Sequence, residues 1–172
     1  KTSSANGGVA YFNTGTLGGT FINCEISGNR ATGDGGVFYR GINRFVNCSI
    51  VGNQAAAAGV AVLFTGEEIT LENCIMWGNT ASQVNEIWVN QGTASANYTL
   101  FDSSQSIGSI FGSNNVSGDP LFIDADGADN VYGTEDDDLR LQASSPAINQ
   151  ASDSVSDYPS TDINGFSRNG AP

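Results

Sequence analysis

The sequence predicts an all-β parallel solenoid in which one short, bent coil of chain rests on the next. Three observations predict it. The unit apolar-x-Asn-Cys-x-apolar-x-Gly-Asn-x-Ala recurs at residues 21–31, 45–55 and 71–81, placing Cys24, Cys48 and Cys74 in equivalent positions. A Gly-Val pair precedes each unit, at Gly8-Val9, Gly36-Val37 and Gly59-Val60. The apolar runs are short and broken by glycine and asparagine, which excludes the long 3.6-period stretches of helical arrays. Repeats of roughly 20–30 residues with such runs suit a parallel β-helix of about three short strands per turn, stacked at ~4.8 Å.

The first side of each coil begins at Gly-Val, with strands expected near residues 9–12, 37–40 and 60–64. Phase then locates the corners. Simple alternation back from Cys24 would turn position 22 inward, and its equivalent in the third unit is Glu72. Burying that carboxylate unpaired is costly, so the chain must turn at the asparagine. Phe21, Phe45 and Leu71 then point in, and so do Cys24, Cys48 and Cys74 with Ile26, Ile50 and Met76 on the next strand. Asparagine tolerates the left-handed backbone of such a corner. A ladder of Asn23, Asn47 and Asn73 is therefore expected, with amides bonded from coil to coil. A second corner falls at Gly28-Asn29, Gly52-Asn53 and Gly78-Asn79.

The three cysteines are expected as a column of buried free thiols. No CxxC spacing suggests zinc, and parallel in-register neighbours match a disulfide poorly. After residue 81 the pattern loosens. Strands are expected at 86–89, 98–101 and 109–111, giving about five to six rungs over residues 7–118. Residues 119–172 are read as an acidic loop, a last rung and an irregular C-terminal cap across it, all within one domain, 1–172. Counting back in register, Lys1 falls where Asn29 and Asn53 stand, so the chain is expected to be a segment of a longer protein.

Composition narrows function. The chain has 172 residues, 6 Lys+Arg against 18 Asp+Glu, no histidine and a formal net charge of −12. Nucleic acid is not an expected partner, because phosphate binding needs clustered cations. Without histidine, a catalytic triad has no base. No apolar run approaches the ~18–20 residues of a membrane-spanning helix.

Between residues 124 and 138 stand Asp124, Asp126, Asp129, Glu135, Asp136, Asp137 and Asp138, with Gly127 and Gly133 permitting turns. Calcium takes six to eight oxygens, and such a loop can supply them. A structural calcium site is expected, with Asp124, Asp126, Asp129 and Asp136 as ligands and Asp138 next. The Asp-x-Asp-Gly start departs from an EF-hand at Ala128 and Asp129, and no helix flanks it.

The repeats with Gly-Gly-Val resemble those of bacterial secreted right-handed β-helix proteins, including polymorphic outer-membrane-protein-like chains. The stretch Asp119-Pro-Leu-Phe, Asp124-Ala-Asp-Gly, Leu139-Arg-Leu-Gln, Ser145-Pro-Ala-Ile and Thr161-Asp-Ile-Asn-Gly is similar to the C-terminal end of surface-anchored members. The resemblance implies a right-handed coil and a secreted or cell-surface location in bacteria. It implies adhesins, passengers or carbohydrate-active enzymes without choosing among them.

Two functions follow. The favoured one is a non-catalytic scaffold or adhesin-like module, with Tyr11, Tyr39, Trp77 and Trp88 as candidate ligand-binding residues for an extracellular glycan or cell-surface partner. The rival is a polysaccharide lyase or glycoside hydrolase acting on acidic polysaccharide. For the rival, Arg30, Arg40 and Arg44 are poor bases because arginine stays protonated. No repeat column outside the acidic loop offers the two carboxylates a hydrolase needs, about 5–9 Å apart.

Overall fold

The computed structural model describes residues 2–3, 6–12, 17–57, 59–64 and 66–168. It is an all-β parallel solenoid of about three regular turns. After β1 (Thr2–Ser3), the first coil carries β2 (Ala10–Tyr11), β3 (Thr20–Ile22), β4 (Glu25–Ser27) and β5 (Arg30–Ala31). The second repeats this with β6 (Phe38–Tyr39), β7 (Ile42–Val46), β8 (Ser49–Val51) and β9 (Gln54–Ala55). The third has β10 (Ala61–Leu63), β11 (Glu68–Glu72) and β12 (Ile75–Trp77), then a bridge from Gln54 to Thr80. Shorter turns follow with β13 (Ile87–Val89), β14 (Thr93–Asn97) and β15 (Ile110–Phe111).

The first two coils thus carry four strands each, where three were expected. The side after the Gly-Asn corner pairs as well, Arg30 with Gln54 and Ala31 with Ala55, before the chain bends at Gly35 with φ 68°. Every pairing in the coils is parallel and in repeat register. Phe21, Phe45, Leu71 and Ala96 form one inward file, and Ile26, Ile50 and Met76 another. Phe45, Leu71 and Met76 are completely buried. The Phe21 and Phe45 rings stack at 5.0 Å, and Phe38 meets Phe45 edge-on at 5.2 Å. Each such side chain contributes roughly 1.5–3 kcal/mol of burial.

The first corner is as predicted: Asn23, Asn47 and Asn73 have φ of 56°, 53° and 54°. The fourth turn departs from expectation. Its strand is β14, Thr-Ala-Ser-Ala-Asn, and Tyr98, expected to begin a strand, takes the asparagine's corner place with φ 52°. Ala94 and Ala96 fill the inward positions at 0 % exposure, so the coil narrows where large residues stood.

Beyond the solenoid, β16 (Phe122–Asp124) and β17 (Asp138–Leu141) form an antiparallel hairpin whose tip is the acidic loop. The C-terminal stretch is not laid across the last rung as expected. It runs as a strap along the asparagine corner: Ser152 exchanges two 2.8 Å hydrogen bonds with the Asn73 side chain, and the Asn23 amide donates to the Thr161 carbonyl. Arg44 fixes the strap midway, donating to Asp157 at 2.7 Å and to the Ser156 carbonyl. Val46, in the outward phase, is fully buried.

Candidate functional site

Three of the four predicted aromatic residues fall on one register line of the outer sheet face. Tyr11 pairs with Tyr39, Tyr39 with Val62, Val62 with Trp88, and Trp88 with Ile107. Phe38, Ala61 and Ile87 are buried in the core, while Tyr39 and Trp88, the next residues along their strands, keep partial exposure. Tyr11 and Tyr39 stack with centroids 5.4 Å apart and planes within 7°, and Tyr11 is 52 % exposed. Trp77 is not part of this line. It pairs with Val51, and Val51 with Ser27, on the neighbouring sheet.

A cation borders the line. Arg40, held at φ 69°, lays its guanidinium over the rings of Tyr39 and Phe64, 5.6 Å and 4.9 Å from their centroids. Its Nε is buried without a hydrogen-bond partner and lies 4.0 Å from Oε1 of buried Glu67. The other Glu67 oxygen accepts from the Phe64 amide at 2.6 Å. Stacked tyrosines beside an aromatic-held guanidinium can take the apolar face of a sugar and donate to its oxygens.

The acidic loop is organised around one hydroxyl. Thr134 Oγ1 donates among Asp136 at 2.7 Å, Asp137 at 3.2 Å and Asp129 at 3.4 Å. This bond holds the Asp136 carboxyl below its usual range. The bidentate Arg140 contact holds Asp138 near 2, so Asp138 is committed to an ion pair. Asp124 stands opposite Asp138 in the hairpin, and the Asp126 carbonyl accepts from Val131. Of the expected five ligands, Asp129 and Asp136 are brought together, both accepting from Thr134, and the Asp129 amide donates to the Asp136 carboxylate. Among the described residues no group of three or more His, Cys, Asp or Glu side chains is arranged to hold a metal ion.

The structural columns are partly where the sequence placed them. Cys24, Cys48 and Cys74 stand in single file as free thiols. The Cys24 amide donates to Cys48 Sγ, and the Cys74 amide to Thr99 Oγ1, so the threonine continues the file. Burial pushes the Cys74 thiol up. On the first corner, Asn73 donates to Asn47 at 3.2 Å, but Asn23 is taken by Thr161 and Arg168 of the strap.

The continuous amide ladder lies on the other corner, where sequence reasoning did not place one. Asn29 Nδ2 donates to Asn53 Oδ1 and Asn53 Nδ2 to Asn79 Oδ1, both at 3.0 Å. Asn79 donates at 3.1 Å to Glu86, which ends the ladder. Asn53 is wholly buried. The repeated Gly-Asn pair was the available signal. Burial raises the Glu86 carboxyl to about 7, the environment expected of a catalytic acid. Yet it is 4 % exposed and bonded to the ladder, so it has no face for substrate. Of the rival's arginines, Arg44 is paired with Glu72 and Asp157, both at 2.7 Å.

Comparison with protein-family models, curated proteins and solved structures gives no match.

Proposed function

We propose that this chain is a non-catalytic parallel β-helix module of a secreted or cell-surface bacterial protein, acting as a scaffold or adhesin-like segment that binds extracellular glycan. The alignment of Tyr11, Tyr39 and Trp88 on one outer line, with Arg40 beside it, carries this reading. The resemblance of the repeats to right-handed secreted β-helices supports a right-handed winding and about five to six rungs in all.

Calcium enters the proposal in reduced form. Asp129 and Asp136 already face one hydroxyl, and a cation in its place would draw on their oxygens and on Asp137, with Asp124 and Asp126 brought in by loop rearrangement. Asp138 would stay with Arg140. Raised melting temperature in 1 mM calcium over chelator supports this role, and an unchanged one removes it.

The lyase or hydrolase reading is the weaker one, since an acidic polymer meets a chain of net charge −12 and Glu86, a carboxyl raised toward neutrality, is sealed in the interior. A glycan array, read beside activity on acidic polysaccharides with calcium and with chelator, separates the two. Glycan binding lost in Tyr11→Ala and Trp88→Ala, without turnover, is the expected result. Polysaccharide cleavage, or binding indifferent to both substitutions, overturns the proposal.

A further inference from the structure

A second surface is built from parts distant in sequence. A cleft of about 960 Å³ opens between the solenoid at Glu25 and Ser49, the hairpin strand around Asp138, and the strap turn around Asp162. Every wall brings a carboxylate: Glu25, then Asp136, Asp137 and Asp138, then Asp162. Among the described residues two cations line it, and both are engaged. Arg140 is bidentate on Asp138, and Arg168 donates to the Asn23 side chain at 2.9 Å and to the Thr161 carbonyl at 3.1 Å.

The cleft also has an apolar rim. Phe166 is 71 % exposed, Ile163 59 % and Ile148 41 %, and all three border it. These side chains play no part in the solenoid core. The turn that carries Ile163 and Phe166 is closely specified: the Asn164 and Phe166 amides both donate to Asp162 Oδ1 at 2.9 Å, and the Asp162 amide returns a bond to the Phe166 carbonyl at 2.8 Å. Thr161 and Ser167 close it as an antiparallel bridge. A large aromatic held outward by its own turn has its ordering cost met before any partner arrives.

We propose that this cleft docks a cationic polypeptide segment of a partner protein, one that alternates lysine or arginine with apolar side chains. Glu25, Asp162 and, in the calcium-free loop, Asp136 and Asp137 would receive the cations while Asp138 stays with Arg140, and Phe166 and Ile163 would pack against the apolar residues between them. The charge of −12 would steer such a partner in and keep anionic polymers out. The aromatic anchor, not the acids, would carry most of the affinity, as buried aromatics do at interfaces.

The test is fluorescence anisotropy in chelator buffer, using a labelled probe of alternating lysine and phenylalanine. Two further probes replace the lysines by glutamate or the phenylalanines by serine. The full chain should bind the first probe and neither of the others. Phe166→Ser should weaken binding about tenfold or more, and Glu25→Gln about threefold, with the latter effect fading in high salt. Phe111→Ser, an equally exposed residue on β15, should leave binding unchanged and shows that loss of any surface aromatic is not enough. Equal affinity for the lysine–serine probe, or equal effects of Phe166→Ser and Phe111→Ser, would reduce the interaction to unspecific attraction and overturn the proposal.

Discussion

The ring of Tyr132 lies against Gly52 so closely that a Cβ on the glycine would stand 2.1 Å from its Cγ. Gly28 and Gly78, in the neighbouring coils, meet the same residue: a Cβ on Gly28 would stand 2.0 Å from the Tyr132 carbonyl oxygen, and one on Gly78 3.2 Å from its hydroxyl. The three glycines, at φ of 60°, 64° and 65°, form a smooth column along the second corner. Tyr132 belongs to the acidic loop, so this column is where the hairpin is docked onto the solenoid.

Gly52→Ala should therefore cost more than its backbone alone. The left-handed conformation accounts for about 1–2 kcal/mol, and displacing the Tyr132 ring adds to it. In a Tyr132→Ala background the same substitution should lose only the backbone part. Chemical denaturation of the four variants measures the coupling, and a coupling near zero would mean that Tyr132 does not rest on the glycine.

Glu86 makes stability fall with rising pH. Its carboxyl is raised from the ordinary 4.5 to about 7 by burial. Below pH 4.5 it is protonated folded or unfolded and contributes nothing. Between 4.5 and 7 the unfolded chain gives up the proton while the fold retains it, so stability declines, and above 7 the loss is complete at about 3 kcal/mol. Glu86→Gln keeps the oxygen that accepts from Asn79 and should be more stable than the parent at pH 8 but not at pH 4. Denaturation midpoints at both values check this, and parallel pH profiles would contradict it.

The two asparagine corners should respond unequally. Asn53→Ala strands the backbone amide and side-chain amide of Asn29 and removes a donor from the Ile26 carbonyl, a loss of about 2–4 kcal/mol. Asn47→Ala should lose about 1 kcal/mol or less beyond its backbone preference, since it shares one 3.2 Å bond with Asn73. Paired melting curves decide it, and equal losses would show that the inner ladder is no stronger than the outer.

Most of the solenoid was legible because its cause repeats. Phe21 and Phe45, the cysteine file and the left-handed asparagines recur at fixed positions, and each recurrence satisfies the same packing demand. Legibility failed where one residue type replaced another in the same role. Ala94 and Ala96 carry a strand without bulky side chains, Tyr98 turns an asparagine corner, and Thr99 continues a cysteine file. It failed again where distant segments meet. Nothing local to Asn23 says that Thr161 will take its amide, and nothing in the acidic run says that Tyr132 will anchor it. Of the site residues, Tyr11, Tyr39 and Trp88 could be gathered by counting rungs, while Trp77 obeyed a register one sheet away.

The burial of the cysteines gives a direct kinetic expectation. Cys48 and Cys74 are each 2 % exposed, whereas Cys24 is half-buried. A thiol reagent should label Cys24 first in the native protein, with the other two reacting only on unfolding. Simultaneous labelling of all three would deny them a place in the core.

Stacking of coils in register is most directly tested by the nuclear Overhauser spectrum of protein labelled only in its three cysteines. Neighbouring coils stand ~4.8 Å apart, so cross-peaks should connect Cys24 with Cys48 and Cys48 with Cys74, while Cys24 and Cys74 share none at short mixing times. Absence of the first two cross-peaks, or a direct one between Cys24 and Cys74, would contradict the fold described.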